Sequence, residues 1–224
     1  MKGPRWSRDD SEFDRAIGFV DATFALALTL LVTTLDIGDL RRIWTSLSTL
    51  DNQVNPQFTA FLISFLVIAS YWLAHHRMVA TMVAIDTPVI VANLALIASI
   101  VLLPFTTEAV GAPNIDDLPL PTAVLAVNVA AASGLLTLMY VLAIRRRLVT
   151  VQPTRKEFVS LVVKGLLPAA VFLLSIPIAY ATSPGTSHFF WLAYPIISFL
   201  LRNWGGEPPL VVEVAGEHDD AARE

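Results

Sequence analysis

The chain has 224 residues, of which 55% are apolar and only 15% are charged, and its mean hydropathy is +0.64. This composition is too apolar for an ordinary soluble domain and is typical of a protein that lies in a lipid bilayer. The absence of cysteine excludes disulfide scaffolds, thiolate nucleophiles and Cys-ligated metal sites, and four histidines leave little material for a metal cluster. A formal net charge of -4 does not indicate a nucleic-acid-binding surface.

Six stretches are long and apolar enough to cross a hydrocarbon core of about 30 Å as helices. They cover residues 17–35, 58–74, 88–107, 121–144, 158–181 and 188–201. The first stretch follows several acids and has no small-residue cleavage site, so we expect a retained helix and not a signal peptide. The predicted fold class is an all-α integral membrane protein with six transmembrane helices in one domain of residues 1–204. The acidic segment 205–224 lacks periodicity and is expected to be a disordered cytoplasmic tail.

The lysines and arginines predict the orientation of the chain in the membrane. If the N-terminus is cytoplasmic, thirteen of the 15 bases lie on the cytoplasmic side, including the cluster at residues 145–147. Only Arg41 and Arg42 then lie outside. The positive-inside rule therefore places both the N-terminus and the C-terminus in the cytoplasm.

The first predicted helix carries one face of small and hydroxylated side chains. At 100° per residue, Ala22, Leu26, Thr29 and Thr33 fall within an arc of about 60°. In an isolated helix the threonine hydroxyls would bond the carbonyl four residues earlier. In a symmetric assembly the same face could line a narrow axis, where Leu26 would form an apolar ring and the threonines would offer oxygen atoms to an ion.

Asp21 lies off this face by roughly 110° and needs a polar partner, because an intramembrane carboxylate is costly when it is unpaired. The predicted second helix ends at the same depth, and we expect an interhelical network of Arg15, Asp21 and His75 or His76, capped by Trp72. The histidine pair could instead form a simple interfacial girdle. Zinc is not expected there, because adjacent histidines on a helix point about 100° apart.

Recognisable enzyme motifs are missing from the sequence. We find no P-loop, no G-x-S-x-G elbow, no H-E-x-x-H and no paired intramembrane aspartates. A T-V-G-Y-G potassium filter is also absent, so any channel function would depend on helix side chains. The protein is not expected to be an enzyme.

A set of motifs in the first half of the chain resembles the endosomal and lysosomal potassium channel family, and in particular its bacterial branch with one six-helix unit per chain. These motifs are the Arg-x-x-x-Phe-x-Asp pattern at Arg15, Phe19 and Asp21, the following Phe-Ala-Leu-Ala-Leu-Thr-Leu-Leu, the Tyr71-Trp72 and His75-His76 pairs, Asn93, and Pro104-Phe105 with Thr107. The second half of the chain matches only in the number of helices.

The resemblance implies a homotetramer whose first helices surround the ion path, with a hydrophobic constriction and a threonine layer in place of a carbonyl filter. By position, Leu26 would be the constriction, and Thr29 the hydroxyl layer. The implied pore-lining residues are Ala22, Thr29, Leu30 and Thr33. The implied structural network that holds the pore helix consists of Arg15, Phe19, Asp21, Trp72, His75 and His76.

Two positions depart from the family pattern. Val20 stands where the family has serine, which removes a hydroxyl from the implied network. Thr33 replaces a large aliphatic residue, so the outer part of the path is expected to be wider or wetter.

The sequence thus predicts a potassium-selective cation channel, a multi-pass homotetramer in a prokaryotic plasma membrane. Its expected partners are copies of itself, membrane lipids and permeant potassium ions, with no nucleic acid, metal or organic cofactor. One alternative is a proton-coupled secondary transporter that uses Asp21 and the helix-two histidines as a relay. A non-transporting scaffold is a second alternative, although it leaves the threonine face unexplained.

Overall fold

The computed structural model describes residues 4–34, 55–112, 115, 117–201 and 203–204. Its elements in chain order are strand β1 (Arg5–Ser7), helix α1 (Ser11–Leu30), a 3-10 helix (Leu31–Thr34), α2 (Asn55–Ala80), strand β2 (Ala84–Asp86), α3 (Thr87–Gly111), α4 (Pro119–Arg145), α5 (Arg155–Ala181), α6 (Pro184–Trp191) and α7 (Ala193–Leu200). The predicted tail at 205–224 and the two predicted outer bases, Arg41 and Arg42, lie outside the described residues.

Within the described residues, four helical stretches are long and apolar enough to cross a membrane. They are Ser11–Thr33, Thr87–Val110, Pro119–Arg145 and Arg155–Ala181. These overlap the first, third, fourth and fifth predicted spans, and α2 overlaps the second. The part of the chain that the structure describes is therefore predominantly helical and suited to a membrane.

Side-chain caps fix where two of the long helices begin. The Asp86 carboxylate accepts the Val89 N–H at 3.3 Å, and a proline occupies the first turn of α3. At α5, Thr154 Oγ1 accepts the Glu157 N–H while the Glu157 carboxylate accepts the Thr154 N–H at 2.7 Å. Such caps satisfy N–H groups that have no partner within the helix, so the sequence itself determines these boundaries.

The sixth predicted span, residues 188–201, is not one helix. The structure has two helices of eight residues each, α6 and α7, which meet at Leu192. Pro195 has no N–H and its ring would collide with the Trp191 carbonyl in a continuous helix. The sequence predicts a bend at Pro195, and the structure interrupts the helix at Leu192, about one turn before this proline.

A small antiparallel sheet was not predicted. Strand β1 pairs with β2, with Arg5 opposite Asp86 and Ser7 opposite Ala84. The α4–α5 connection joins the same structure, because Met82 and Val149 form a bridge and the Val83 N–H donates to the Leu148 carbonyl at 2.8 Å. The N-terminal segment, the α2–α3 connection and the α4–α5 connection therefore meet at one end of the helices.

Arginines reinforce this end, which we call the sheet end. Arg5 donates to the Arg146 carbonyl at 2.7 Å, and the Arg146 guanidinium pairs with the buried Asp86 carboxylate. Arg8 donates to the carbonyl of Ala80 at 3.0 Å. Since helices α1, α3 and α5 begin here and α2 and α4 end here, successive long helices alternate in direction.

Helices α4 and α5 pack closely along their length. A Cβ atom at Gly165 of α5 would collide with the side chain of Thr137 on α4. The Thr137 hydroxyl donates to the Ser133 carbonyl at 2.8 Å, so it is held in place. Small residues at such contacts allow helix backbones to approach, which is the main source of helix association in a bilayer.

Candidate functional site

Helix α1 has one exposed face and one buried face within the protomer. All five predicted path-lining residues are exposed: Ala22, Leu26, Thr29, Leu30 and Thr33. Leu26 is 56% exposed. The buried face carries Val20, Phe24, Ala27 and Leu31, which pack against apolar residues of α2, α3 and α4. The residues that form the small and hydroxylated face are thus left uncovered by the rest of the chain.

The two threonine hydroxyls on the exposed face bond backwards along the helix. Thr29 Oγ1 donates to the Leu26 carbonyl at 2.8 Å, and Thr33 Oγ1 donates to the Leu30 carbonyl at 2.6 Å. The acceptors lie three residues earlier, one residue closer than we expected. Because each hydroxyl uses its hydrogen within the helix, its lone pairs remain available to accept a hydrogen bond or to contact a cation.

Asp21 finds its partner on α2. Trp72 Nε1 donates to Asp21 Oδ1 at 3.0 Å, and the Trp72 ring stacks on His76 with centroids 5.3 Å apart. Trp72 and His76 are exposed, whereas Asp21 is partly buried. This cluster, Asp21 with Trp72 and His76, ties the middle of α1 to the end of α2 that is nearest the sheet end.

His75 is the inward-facing member of the histidine pair. Its side chain is fully buried, and its ring lies 5.8 Å from that of Phe24 on α1. His75 Nε2 lies 3.1 Å from Asn93 Oδ1 on α3, which makes Nε2 the donor in this bond. The sequence singles out Asn93 both as a family match and as an amide inside an apolar span, which predicts a polar contact between helices.

Arg15 and Phe19 do not join these contacts within one chain. Arg15 pairs with Glu12 at 2.9 Å in an exposed ion pair, and Phe19 is exposed as well. The predicted network is therefore divided in the protomer into the Asp21 cluster, the His75–Asn93 pair and the Glu12–Arg15 pair. A role of Arg15 or Phe19 between subunits stays a prediction.

Metal ligands are not grouped in the part of the chain that the structure describes. There, no set of three or more His, Cys, Asp or Glu side chains is placed to hold a metal ion. Among the predicted path-lining residues, the polar side-chain atoms are the hydroxyl oxygens of Thr29 and Thr33.

Known proteins match the part of the chain that contains these residues. The model of the endosomal/lysosomal potassium channel TMEM175 family matches residues 15–104, from the start of the Arg-x-x-x-Phe-x-Asp pattern to most of α3. The predicted family resemblance is confirmed. The TMEM175-like segment therefore includes α1, the Asp21 cluster and the His75–Asn93 pair.

Two curated relatives and one solved structure extend the TMEM175 match. A potassium channel from Chryseobacterium sp. (strain P1-3) is 29% identical over 108 residues, which cover 48% of this chain and 54% of that protein. A potassium channel from Streptomyces collinus is 27% identical over 100 residues, covering 43% of this chain and 47% of that one. The matches thus span about half the length of each curated relative.

The solved structure is a lysosomal potassium-selective channel TMEM175 homologue from Chamaesiphon minutus. It is 22% identical, with a TM-score of 0.68, and the match covers 87% of this chain and all of that chain. The fold is therefore that of a TMEM175 homologue over nearly the whole chain. This includes the second half, where the sequence matches the family only in the number of helices.

Proposed function

We propose that this chain is the subunit of a homotetrameric, potassium-selective cation channel in a prokaryotic plasma membrane, with six membrane spans and both termini in the cytoplasm. The observation that carries the proposal is the coincidence on α1. The face that periodicity and the TMEM175 pattern assign to the ion path is the face that the protomer leaves exposed.

The Leu26 side chains form the constriction in this proposal. A ring of leucines excludes water when it is narrow, so the path conducts only when α1 rotates or splays enough to widen and wet this level. Supporting this role, Leu26 is 56% exposed, so more than half of it is left uncovered by its own chain.

Thr29 supplies the selectivity layer one turn further along the path. Its oxygen replaces part of the hydration shell of an ion, and potassium, which holds its water more weakly than sodium, loses less on partial dehydration. The bond from Thr29 to the Leu26 carbonyl supports this role, because it directs the hydroxyl hydrogen towards the backbone. Ala22, Leu30 and Thr33 line the remainder of the path, and no resident cofactor or catalytic group takes part.

A proton-coupled transporter would need Asp21 and the helix-two histidines to exchange protons. In the described residues, Asp21 bonds Trp72 whereas buried His75 bonds Asn93, so these two side chains belong to separate contacts. This arrangement does not favour a relay.

Potassium efflux from proteoliposomes separates the possibilities. A channel moves net charge, so potassium efflux should accelerate when a protonophore lets protons enter in exchange. Liposomes loaded with sodium in place of potassium should show a much slower efflux of sodium. An electroneutral proton-coupled exchanger would release potassium without the protonophore, because a proton enters for each ion that leaves, and the protonophore would not accelerate this efflux. A scaffold would show no flux above that of protein-free liposomes, and either of these two results would contradict the proposal.

A further inference from the structure

The exposed face of α1 continues past the predicted path-lining residues towards the N-terminus. At 100° per residue, Glu12, Arg15 and Phe19 lie within about 40° of the direction of Leu26. Their exposure agrees with this geometry, since the side chains of Arg15 and Glu12 are 75% and 54% exposed. The face that carries Leu26 therefore begins with an ion pair.

This ion pair lies at the sheet end and not among lipid chains. It occupies the first turns of α1, shortly after β1, and lies about 16–21 Å along the helix axis from Leu26. Two charged side chains at this exposure require water or a polar neighbour. If α1 lines a path, the Glu12–Arg15 pair stands where that path opens to water.

Arg5 and Arg8, which precede α1, do not lie on its exposed face. The guanidinium groups of Arg5 and Arg8 are held by carbonyls of the α4–α5 and α2–α3 connections. Arg15 is thus the base that remains on the exposed face of α1, and Glu12 is its ion-pair partner. Without Glu12, each Arg15 guanidinium would lose its ion-pair partner, and a ring of these groups would repel approaching cations more strongly.

We propose that the Glu12–Arg15 pairs of the assembled subunits form a charged ring at the inner mouth of the path, and that Glu12 sets the rate of cation access by cancelling the charge of Arg15. The inference rests on the proposed channel function and adds a residue that determines conductance. The electrostatic field of charged side chains at the mouth of a channel raises or lowers the local concentration of ions there. Dissolved salt screens this field and weakens its effect.

The test is single-channel conductance in planar bilayers at low and high KCl. Glu12→Gln should lower conductance by about twofold or more near 0.01 M KCl, where the Debye length is about 30 Å, and should match the unsubstituted protein near 1 M, where it is about 3 Å. Arg15→Gln should raise the low-salt conductance. The double variant should return it towards the original value, because the ring is again neutral.

Asp14→Asn is the matched control, since it removes the same charge from an exposed residue in the same turn, about 160° around the helix from Glu12. It should change the low-salt conductance less than Glu12→Gln does. An equal effect of the two variants, or no effect of Glu12→Gln and Arg15→Gln in a channel that conducts, would overturn the ring while leaving the channel function standing. If the unsubstituted protein carries no current at either salt concentration, the proposed function fails first.

Discussion

In the proposed channel, Leu26 and Thr29 divide two tasks between neighbouring turns of α1. The leucine side chain cannot replace the hydration shell of an ion, so it acts as a barrier whenever the path is narrow. The threonine hydroxyl offers oxygen lone pairs, and its hydrogen is engaged with the Leu26 carbonyl. This hydrogen bond joins the two residues that the proposal assigns to the constriction and to the oxygen layer.

Leu26→Ala should raise the basal potassium flux of proteoliposomes by about twofold or more, because the shorter side chain widens and wets the constriction. Val32→Ala is the control, since Val32 is 58% exposed on the same segment but about 120° away from Leu26. Val32→Ala should leave the flux unchanged. Equal flux in the Leu26 variant and the unsubstituted protein would contradict the proposal that Leu26 forms the constriction.

Thr29→Ala should lower the potassium-to-sodium permeability ratio to less than about half, while Thr29→Ser should keep it, because only the hydroxyl is needed for partial replacement of water. The measurement is the reversal potential under biionic conditions. Thr23→Ala provides the comparison, since Thr23 makes the same kind of back-bond, to the Phe19 carbonyl at 2.8 Å, but is partly buried. A shift of the reversal potential in Thr23→Ala but not in Thr29→Ala would refute the selectivity role.

The direction of a side chain could be predicted where it depends only on the position of the residue in its own helix. The exposed positions of α1 follow from periodicity, because 3.6 residues per turn fix the relative directions of Ala22, Leu26 and Thr33. The choice between His75 and His76 did not follow from the sequence. It depends on the rotation of α2 about its axis relative to the neighbouring helices. In the structure, His75 contacts Phe24 and Asn93, whereas His76 stacks on Trp72.

At the scale of elements, hydropathy located the long helices but not the break between α6 and α7 or the two short strands. A span needs only a sufficient run of apolar residues, so α3, α4 and α5 were recognisable. The break between α6 and α7 lies about one turn before Pro195, whereas Pro168 and Pro177 lie within the continuous helix α5, so a proline in an apolar run does not alone predict a break. Strands β1 and β2 have three residues each and no sustained alternation, and they exist because the chain brings them together.

Gly165→Ala should destabilise the packing of α4 against α5, because the added methyl group displaces the Thr137 hydroxyl from the Ser133 carbonyl. We expect a cost of about 1–2 kcal/mol and a melting temperature lower by about 2–6 °C in detergent. Gly134→Ala is the matched control, since a Cβ atom there meets nothing within 4 Å. Its melting temperature should stay the same or rise, as alanine is the better helix former. A similar loss in both variants would show that the glycine contact is not responsible.

At the scale of the whole molecule, the sheet end joins three segments that are distant in sequence. β1, the α2–α3 connection and the α4–α5 connection are held by backbone bonds and by the Asp86–Arg146 pair. The bases of this end are those that the positive-inside rule assigns to the cytoplasm, and their gathering at one end is what an alternating helix order requires. The exposed face of α1 is the surface that the proposed function assigns to contacts around the ion path.

The central claim is that copies of α1 enclose the ion path with this exposed face. Because the natural chain has no cysteine, single cysteines can be introduced at Leu26, Leu30, Thr33 and Val32 and treated with a charged methanethiosulfonate reagent while the current is recorded. The account predicts that modification blocks potassium current at the first three positions and has little effect at Val32. Current that persists after complete modification of Leu26→Cys, Leu30→Cys and Thr33→Cys would contradict it.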